Sequence, residues 1–415
     1  MQLTDLPLTF ALIGLVLYTV LGGADFGAGL WQLTAGAGPG AARIRDHAHH
    51  AMAPVWEANH VWLIFVLTVV WTAYPSAFGA IASTLTVPLF VAAIGIIFRG
   101  AGYALRSGTS QPRQLRVIDI VFALSSILTP FALGAAAGGI ASRRVPVGNA
   151  AGDLLTSWFN PTSILVGVLA VAVGAFVAAV YLSADAVRLA QPDLERAFRA
   201  RALGAGALTG AIALGALAVL RVDAPALYLG LVTGDGLAGL ITSILAGVAT
   251  LVLVWWRRFT VARGTAALAV AAIIAGWALA QRPVFLPGLT VAQAAAPRDT
   301  LIAVVVAVLA GAVILFPSLA LLFRLVLRGE FDPGRQPPVA PRRTTRPASR
   351  SGLLARSAGA CLVAGIGLLT IAEAGWAHAL GVLALFGFVA LAFLAVAPAD
   401  IAAVPTDDCQ TSSPR

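Results

Sequence analysis

The chain has 415 residues, 59% of them apolar and only 11% charged, with a mean hydropathy of +0.91. So little charge cannot cover a folded surface of this size in water, which excludes a soluble domain and leaves a lipid bilayer as the solvent. The formal charge of +9 would suit a nucleic-acid partner, but all 27 basic residues are Arg and nearly all fall between apolar runs, so the charge is a topology signal instead.

Taken in chain order, apolar runs of about 20 residues predict helices over 7–33, 58–80, 82–105, 116–140, 161–187, 202–221, 236–256, 264–282, 299–326, 354–372 and 376–398. The first run lacks a basic segment before it and a small-residue cleavage site after it, so it reads as a helix that itself directs insertion. The stretch from Arg328 to Arg350 mixes Pro, Arg and Thr and cannot build a core. The domain reading is therefore a membrane domain over 1–327, a Pro/Arg-rich cytoplasmic linker over 328–353, a two-helix membrane hairpin over 354–400 and a polar tail over 401–415.

The arginines orient the helices. With the N-terminus outside, the inner gaps hold Arg43, Arg45, Arg106, Arg113, Arg116, Arg188, Arg196, Arg199, Arg201, Arg257, Arg258, Arg263 and the linker cluster. The outer gaps hold only Arg143, Arg144, Arg221, Arg282 and Arg298. This asymmetry over alternate loops predicts an all-α, polytopic bundle of nine membrane helices plus a C-terminal pair, N-terminus outside.

Within that frame a few ionisable residues interrupt the apolar runs. Asp25 stands in Gly22-Gly23-Ala24-Asp25-Phe26-Gly27-Ala28-Gly29, and Glu57 in Ala53-Pro54-Val55-Trp56-Glu57-Ala58-Asn59-His60-Val61-Trp62. Arg99 and Arg106 fall toward the inner end of the third predicted helix and Asp119 at the inner start of the fourth. Four consecutive helices thus bring polar groups to one membrane depth. An ionised carboxylate there costs several kcal/mol unless paired, protonated or hydrated, and Arg99 is the natural counter-ion. Carboxylates so placed can load and unload protons near neutral pH and would form an uptake path from the inner face. Glu57 and Asp119 lie close enough to the interface to serve equally as helix N-terminal charges, and Asp25 to serve in a structural ion pair.

Those motifs, together with Phe98-Arg99-Gly100-Ala101-Gly102-Tyr103-Ala104-Leu105-Arg106, resemble the second subunit of cytochrome bd quinol oxidase, most densely over residues 7–140 and by hydropathy and topology from there to about 326. The resemblance implies nine helices, an outside N-terminus and a bacterial or archaeal plasma membrane. It also implies a haem-bearing subunit I as partner, which carries haem b, haem d and the quinol site, so that the pair oxidises quinol and reduces dioxygen to water with cytoplasmic protons. It assigns proton delivery to Glu57, where Glu stands for the family's Asp, and to Asp25, with Arg99 as electrostatic partner. Gly22 replaces an Asp of many members. Trp56, Asn59 and Trp62 match as packing and hydrogen-bonding support. No haem ligand is expected from this chain, and a quinone as structural filler is known in parts of the family.

The remaining residues carry weaker signals. His47, His49 and His50 beside Arg43, Arg45 and Asp46 read as a solvated, mildly pH-sensitive loop surface, and His60 as a hydrogen-bonded helix residue. Cys361 and Cys409 have neither CxxC nor metal-site spacing. Val180-Tyr181-Leu182-Ser183-Ala184-Asp185 echoes the first helix faintly, with Asp185 read as a helix-end charge. Two other function classes fit the composition. A proton-coupled secondary transporter would place its carboxylates at the midplane between repeats, whereas here they gather at one face. A purely structural assembly subunit would use the same polar cluster only to hold its partner.

Overall fold

The structure is a computed structural model that describes residues 2–52, 56–106, 112–327, 348–370 and 374–396. The chain divides into two compact units, Met1–Asp332 and Pro333–Arg415.

In the first unit α1 (Leu6–Leu17) runs through a π-helical turn, Tyr18–Gly22, into α2 (Gly23–Leu33). The amphipathic α3 (Pro39–Met52) follows, then α4 (Trp56–Ala73), α5 (Pro75–Thr84), α6 (Thr86–Arg106) and α7 (Pro112–Ala141). Next come α8 (Pro161–Arg188), α9 (Pro192–Asp223), α10 (Pro225–Val232), α11 (Leu237–Trp255) and α12 (Phe259–Gln281). A two-stranded antiparallel hairpin, β1 (Val284–Leu286) with β2 (Leu289–Thr290), leads to α13 (Val291–Ala294) and α14 (Arg298–Leu327). Several helices open with proline in the first turn, where its missing N–H forfeits no hydrogen bond. Asn160 caps α8 by accepting from the Ser163 N–H at 3.0 Å.

Two helix boundaries differ most from the sequence expectation. The helix expected over 58–80 stops at Ala73, because Tyr74 precedes Pro75 and takes φ −139°, ψ 60°, outside the helical region. The chain resumes as α5, which meets α6 at a bend of 82°. Conversely α9 starts at Pro192 rather than 202, because Leu194 and Phe198 in its early turns are buried against Ala48 of α3 and against Leu182 and Ala186 of α8. Hydropathy alone does not register that contact, since charged residues surround both side chains.

By length and apolarity seven helices among the described residues can cross a membrane, or eight with the bent α5–α6 pair as one span. The protein is a multi-pass helical membrane protein. In its core α2 packs against both α7 and α8, and α1 against α4. The α2–α8 contact is backbone to backbone: a Cβ on Gly27 would run into the Gly174 carbonyl and stand 2.7 Å from the Ala178 Cβ. At one end, the fully buried Tyr74 donates its hydroxyl to the Thr4 carbonyl at 2.6 Å and accepts from the Leu8 N–H at 3.0 Å, fastening the start of α1 to the end of α4.

The second unit is a helix pair, α15 (Ala348–Thr370) against α16 (Gly375–Val396). Gly365 lets them approach, since a Cβ there would lie 2.7 Å from Leu385 Cδ2.

Candidate functional site

The site is assembled around Asp25, which α2 carries into the middle of the first unit with no exposed surface. Arg99 of α6 is equally sealed. Its Nε donates to Asp25 Oδ2 at 2.9 Å, its Nη2 to Oδ1 at 2.7 Å, and Nη2 also to the Asp25 backbone carbonyl at 2.6 Å. Nη1 donates to the Ser126 hydroxyl of α7, which itself donates to the Phe122 carbonyl at 2.6 Å. The guanidinium carbon also lies over two rings, 4.2 Å from the Phe122 centroid and 5.1 Å from that of Phe26. A forked, hydrogen-bonded and ring-stacked arginine is what a buried charge pair needs to offset its desolvation. Gly29 makes the room: a Cβ there would run into the Ser126 hydroxyl and stand 2.9 Å from Arg99 Nη1.

Helix α4 closes the site. Asn59 is buried and donates from Nδ2 to the Leu21 carbonyl at 3.2 Å, so the π-turn just before Asp25 is pinned to α4. A π-turn inside a membrane helix commonly marks a functional position. Trp62 is buried in the aromatic cluster with Tyr18 and Phe26 and meets Phe65 edge to face at 6.3 Å. His60 packs its ring 5.9 Å from Tyr18 and 5.8 Å from Phe26.

The structure thus brings together Asp25, Arg99, Asn59 and Trp62 from the sequence-predicted set. Trp56 and Glu57 form the first turn of α4 and Arg106 the last of α6, but the side chains of all three lie outside the described residues. Asp119 sits partly exposed on α7, two helical turns before Ser126. Sequence reading missed Ser126, Phe26, Phe122 and Tyr18. The Ser125-Ser126 pair inside an apolar run was the available signal for the first.

One expectation is corrected. The segment holding His47, His49 and His50 is not a solvated loop but the helix α3, and His47 is buried, with its Nε2 3.2 Å from the Leu182 carbonyl and 3.7 Å from Asp185 Oδ2. Its pKa is lowered from the ordinary value, chiefly by burial, and the adjacent Arg188 and His50 charges act in the same direction. The Leu182 carbonyl and Asp185 pull the other way and are outweighed. Asp185 also accepts from Arg188 at 2.9 Å, so it does end α8 as a paired charge.

Away from this cluster, an apolar groove of about 790 Å³ runs between α2, α7, α8 and α9, bordered by Trp31, Phe131, Leu208 and Ile212 with Arg201 as its cation. Among the described residues no group of three or more His, Cys, Asp or Glu could hold a metal ion.

Comparison with known proteins gives this geometry its context. Subunit 2 of cytochrome bd ubiquinol oxidase from Bacillus subtilis is 26% identical over 133 residues, which is 32% of this chain and 38% of that protein. Subunit 2 of cytochrome bd-I ubiquinol oxidase from Escherichia coli is 28% identical over 131 residues, 31% of this chain and 34% of that protein. These alignments span little more than a third of the relatives' own length. The solved structure of bd oxidase from Geobacillus thermodenitrificans covers 79% of this chain and 99% of its own, at 26% identity and a TM-score of 0.61. Residues 3–326, the whole of the helical unit that builds the Asp25–Arg99 site, match a single family, and the chain belongs to it: cytochrome bd terminal oxidase subunit II.

Proposed function

We propose that this chain is the haem-free membrane subunit of a cytochrome bd-type quinol:oxygen oxidoreductase in a bacterial or archaeal plasma membrane. In this reading it supports the haem-bearing subunit I and delivers cytoplasmic protons for the reduction of dioxygen to water. Haem b and haem d then reside in subunit I and supply the redox chemistry there. The chain lies with its N-terminus outside, so that Glu57, in the first turn of α4, meets the cytoplasmic side and takes up the proton. The observation that carries the reading is the Asp25–Arg99 pair, because a charge pair with no exposed surface is expensive and is kept where it has work to do. Each Asp25 carboxylate oxygen accepts from Arg99, so an arriving proton competes with the guanidinium for that oxygen. Transfer therefore requires the fork to loosen, which makes Arg99 a gate as well as a counter-ion. The apolar groove beside Trp31 is where a quinone serving as structural filler would lie.

A second reading, an assembly subunit whose polar cluster only fixes helices, is favoured by the same three bonds from Arg99 to Asp25. Glu57→Gln separates the two, because the amide keeps the shape but carries no proton. In the assembled complex the relay reading expects quinol-dependent oxygen uptake and proton uptake to fall together. Unchanged turnover with an intact haem spectrum would sink it.

A further inference from the structure

We propose that the Tyr18 hydroxyl is a further proton-transfer group, working with His60 on the way to Asp25; this rests on the proton-delivery reading above. Tyr18 opens the π-turn and is 5% exposed, yet its hydroxyl oxygen is sealed from solvent with no hydrogen-bond partner among the described residues. A phenylalanine would fill the same space without that penalty, so packing does not account for the oxygen. The local backbone is built to hold it there. The π-turn spans Tyr18 to Gly22, and a Cβ on Gly22 would stand 3.0 Å from Tyr18 Cε2, so glycine leaves the ring its place where a larger residue would press on it.

Ionisable groups border the aromatic cluster that holds Tyr18. The His60 ring of α4 lies 5.9 Å from Tyr18, and Phe26 touches both rings at 6.5 and 5.8 Å while also stacking on Arg99. The charges of Asp25 and Arg99 act on both Tyr18 and His60. Glu57 precedes His60 by one turn of the same helix. Asp25 from α2, Arg99 from α6 and His60 from α4 are thus the ionisable groups on the described side chains grouped with Tyr18. A phenol there relays without ionising. Its oxygen accepts a proton, through water, from the His60 side as its own proton leaves toward Asp25. One O–H bond forms, one breaks, no electron moves and Tyr18 ends as it began.

The test uses the complete oxidase complex in lipid nanodiscs, comparing wild type, Glu57→Gln and Tyr18→Phe for oxygen turnover at saturating quinol and for the solvent deuterium isotope effect. Tyr18→Phe is expected to lower turnover about tenfold and enlarge the isotope effect, with the KM for quinol and the haem spectrum unchanged. A purely structural role would leave the isotope effect where it was. Slow Glu57→Gln with wild-type behaviour of Tyr18→Phe overturns the Tyr18 step alone, whereas wild-type behaviour of Glu57→Gln overturns the delivery reading beneath it. Should Tyr18→Phe fail to assemble, 3,5-difluorotyrosine at position 18 keeps ring and hydroxyl, and a turnover and isotope effect equal to wild type overturn the proposal.

Discussion

Arg99 holds Asp25 through both carboxylate oxygens and through the backbone carbonyl of the same residue, so side chain and helix are gripped together. Removing one partner of a buried pair leaves the other charge uncompensated, at a cost of about 3–5 kcal/mol. Arg99→Gln or Asp25→Asn alone is therefore expected to lower the thermal midpoint of the purified complex sharply and reduce its yield. The double variant Asp25→Asn/Arg99→Gln buries two amides that can bond each other and should recover a good part of that loss. Thermal unfolding of all four forms checks this; strictly additive losses would show that the pair is not coupled.

Helix spacing at the site depends on two glycines. A methyl group on Gly27 meets the Gly174 carbonyl, a backbone atom that cannot swing aside, whereas one on Gly29 meets Ser126 and Arg99 side chains. Gly27→Ala should consequently disrupt assembly by overpacking, in the range of about 1–3 kcal/mol. Gly29→Ala should retain the complex but displace Ser126 from Arg99. Blue-native electrophoresis for the first and turnover for the second report the difference, and an equal effect of both would contradict the assignment of backbone against side-chain contact.

Much of this organisation was legible in the sequence because a bilayer leaves strong marks on composition. Long apolar runs located the helices, and the few charges inside them, Asp25 and Arg99, found each other as counter-ions. What escaped was whatever depends on neighbours far along the chain. Tyr74 ends α4 only because Pro75 and the bonds to Thr4 and Leu8 fix it there. The early turns of α9 are held by Leu194 and Phe198 against α3 and α8, although their own stretch is charged. His47 looks like a surface histidine among arginines until α3 folds onto α8. Ser126 is an ordinary residue of an apolar helix until Arg99 folds against it, and Tyr18 one until α1 packs against α4.

At the opposite end of α8, Asp223 of α9 ties α8 to the turn that follows α7. Its Oδ2 accepts from the Thr162 N–H at 3.1 Å and the Thr162 hydroxyl at 2.5 Å, while Oδ1 accepts from Arg144 at 2.5 Å. Asp223→Ala strips the N-terminus of α8 of this anchor and leaves Arg144 without its partner. Hydrogen bonds to a charged group are worth about 1.5–3 kcal/mol, and the part-exposed Arg144 contributes at the lower end of that range. A stability loss of about 2 kcal/mol is expected, with quinol-dependent turnover of the surviving complex unchanged. A turnover loss at full stability would point instead to a role in function.

Stability should also depend on pH through His47. Burial lowers its pKa below the ordinary 6.5, so the folded protein holds the imidazole neutral while the unfolded chain protonates it more readily. Well above about pH 6.5 both states are neutral and the contact with the Leu182 carbonyl is undisturbed. As pH falls through that value toward the lowered folded pKa, the unfolded state binds the extra proton and the folded state loses ground. The thermal midpoint of the complex is therefore expected to decline on acidification from neutrality. In His47→Gln, whose amide can still donate to Leu182, that part of the decline should vanish. Midpoints recorded across this interval for both proteins decide it: parallel curves would mean that His47 does not titrate differently on unfolding, and a steeper curve for the variant would reverse the sign assigned to its burial.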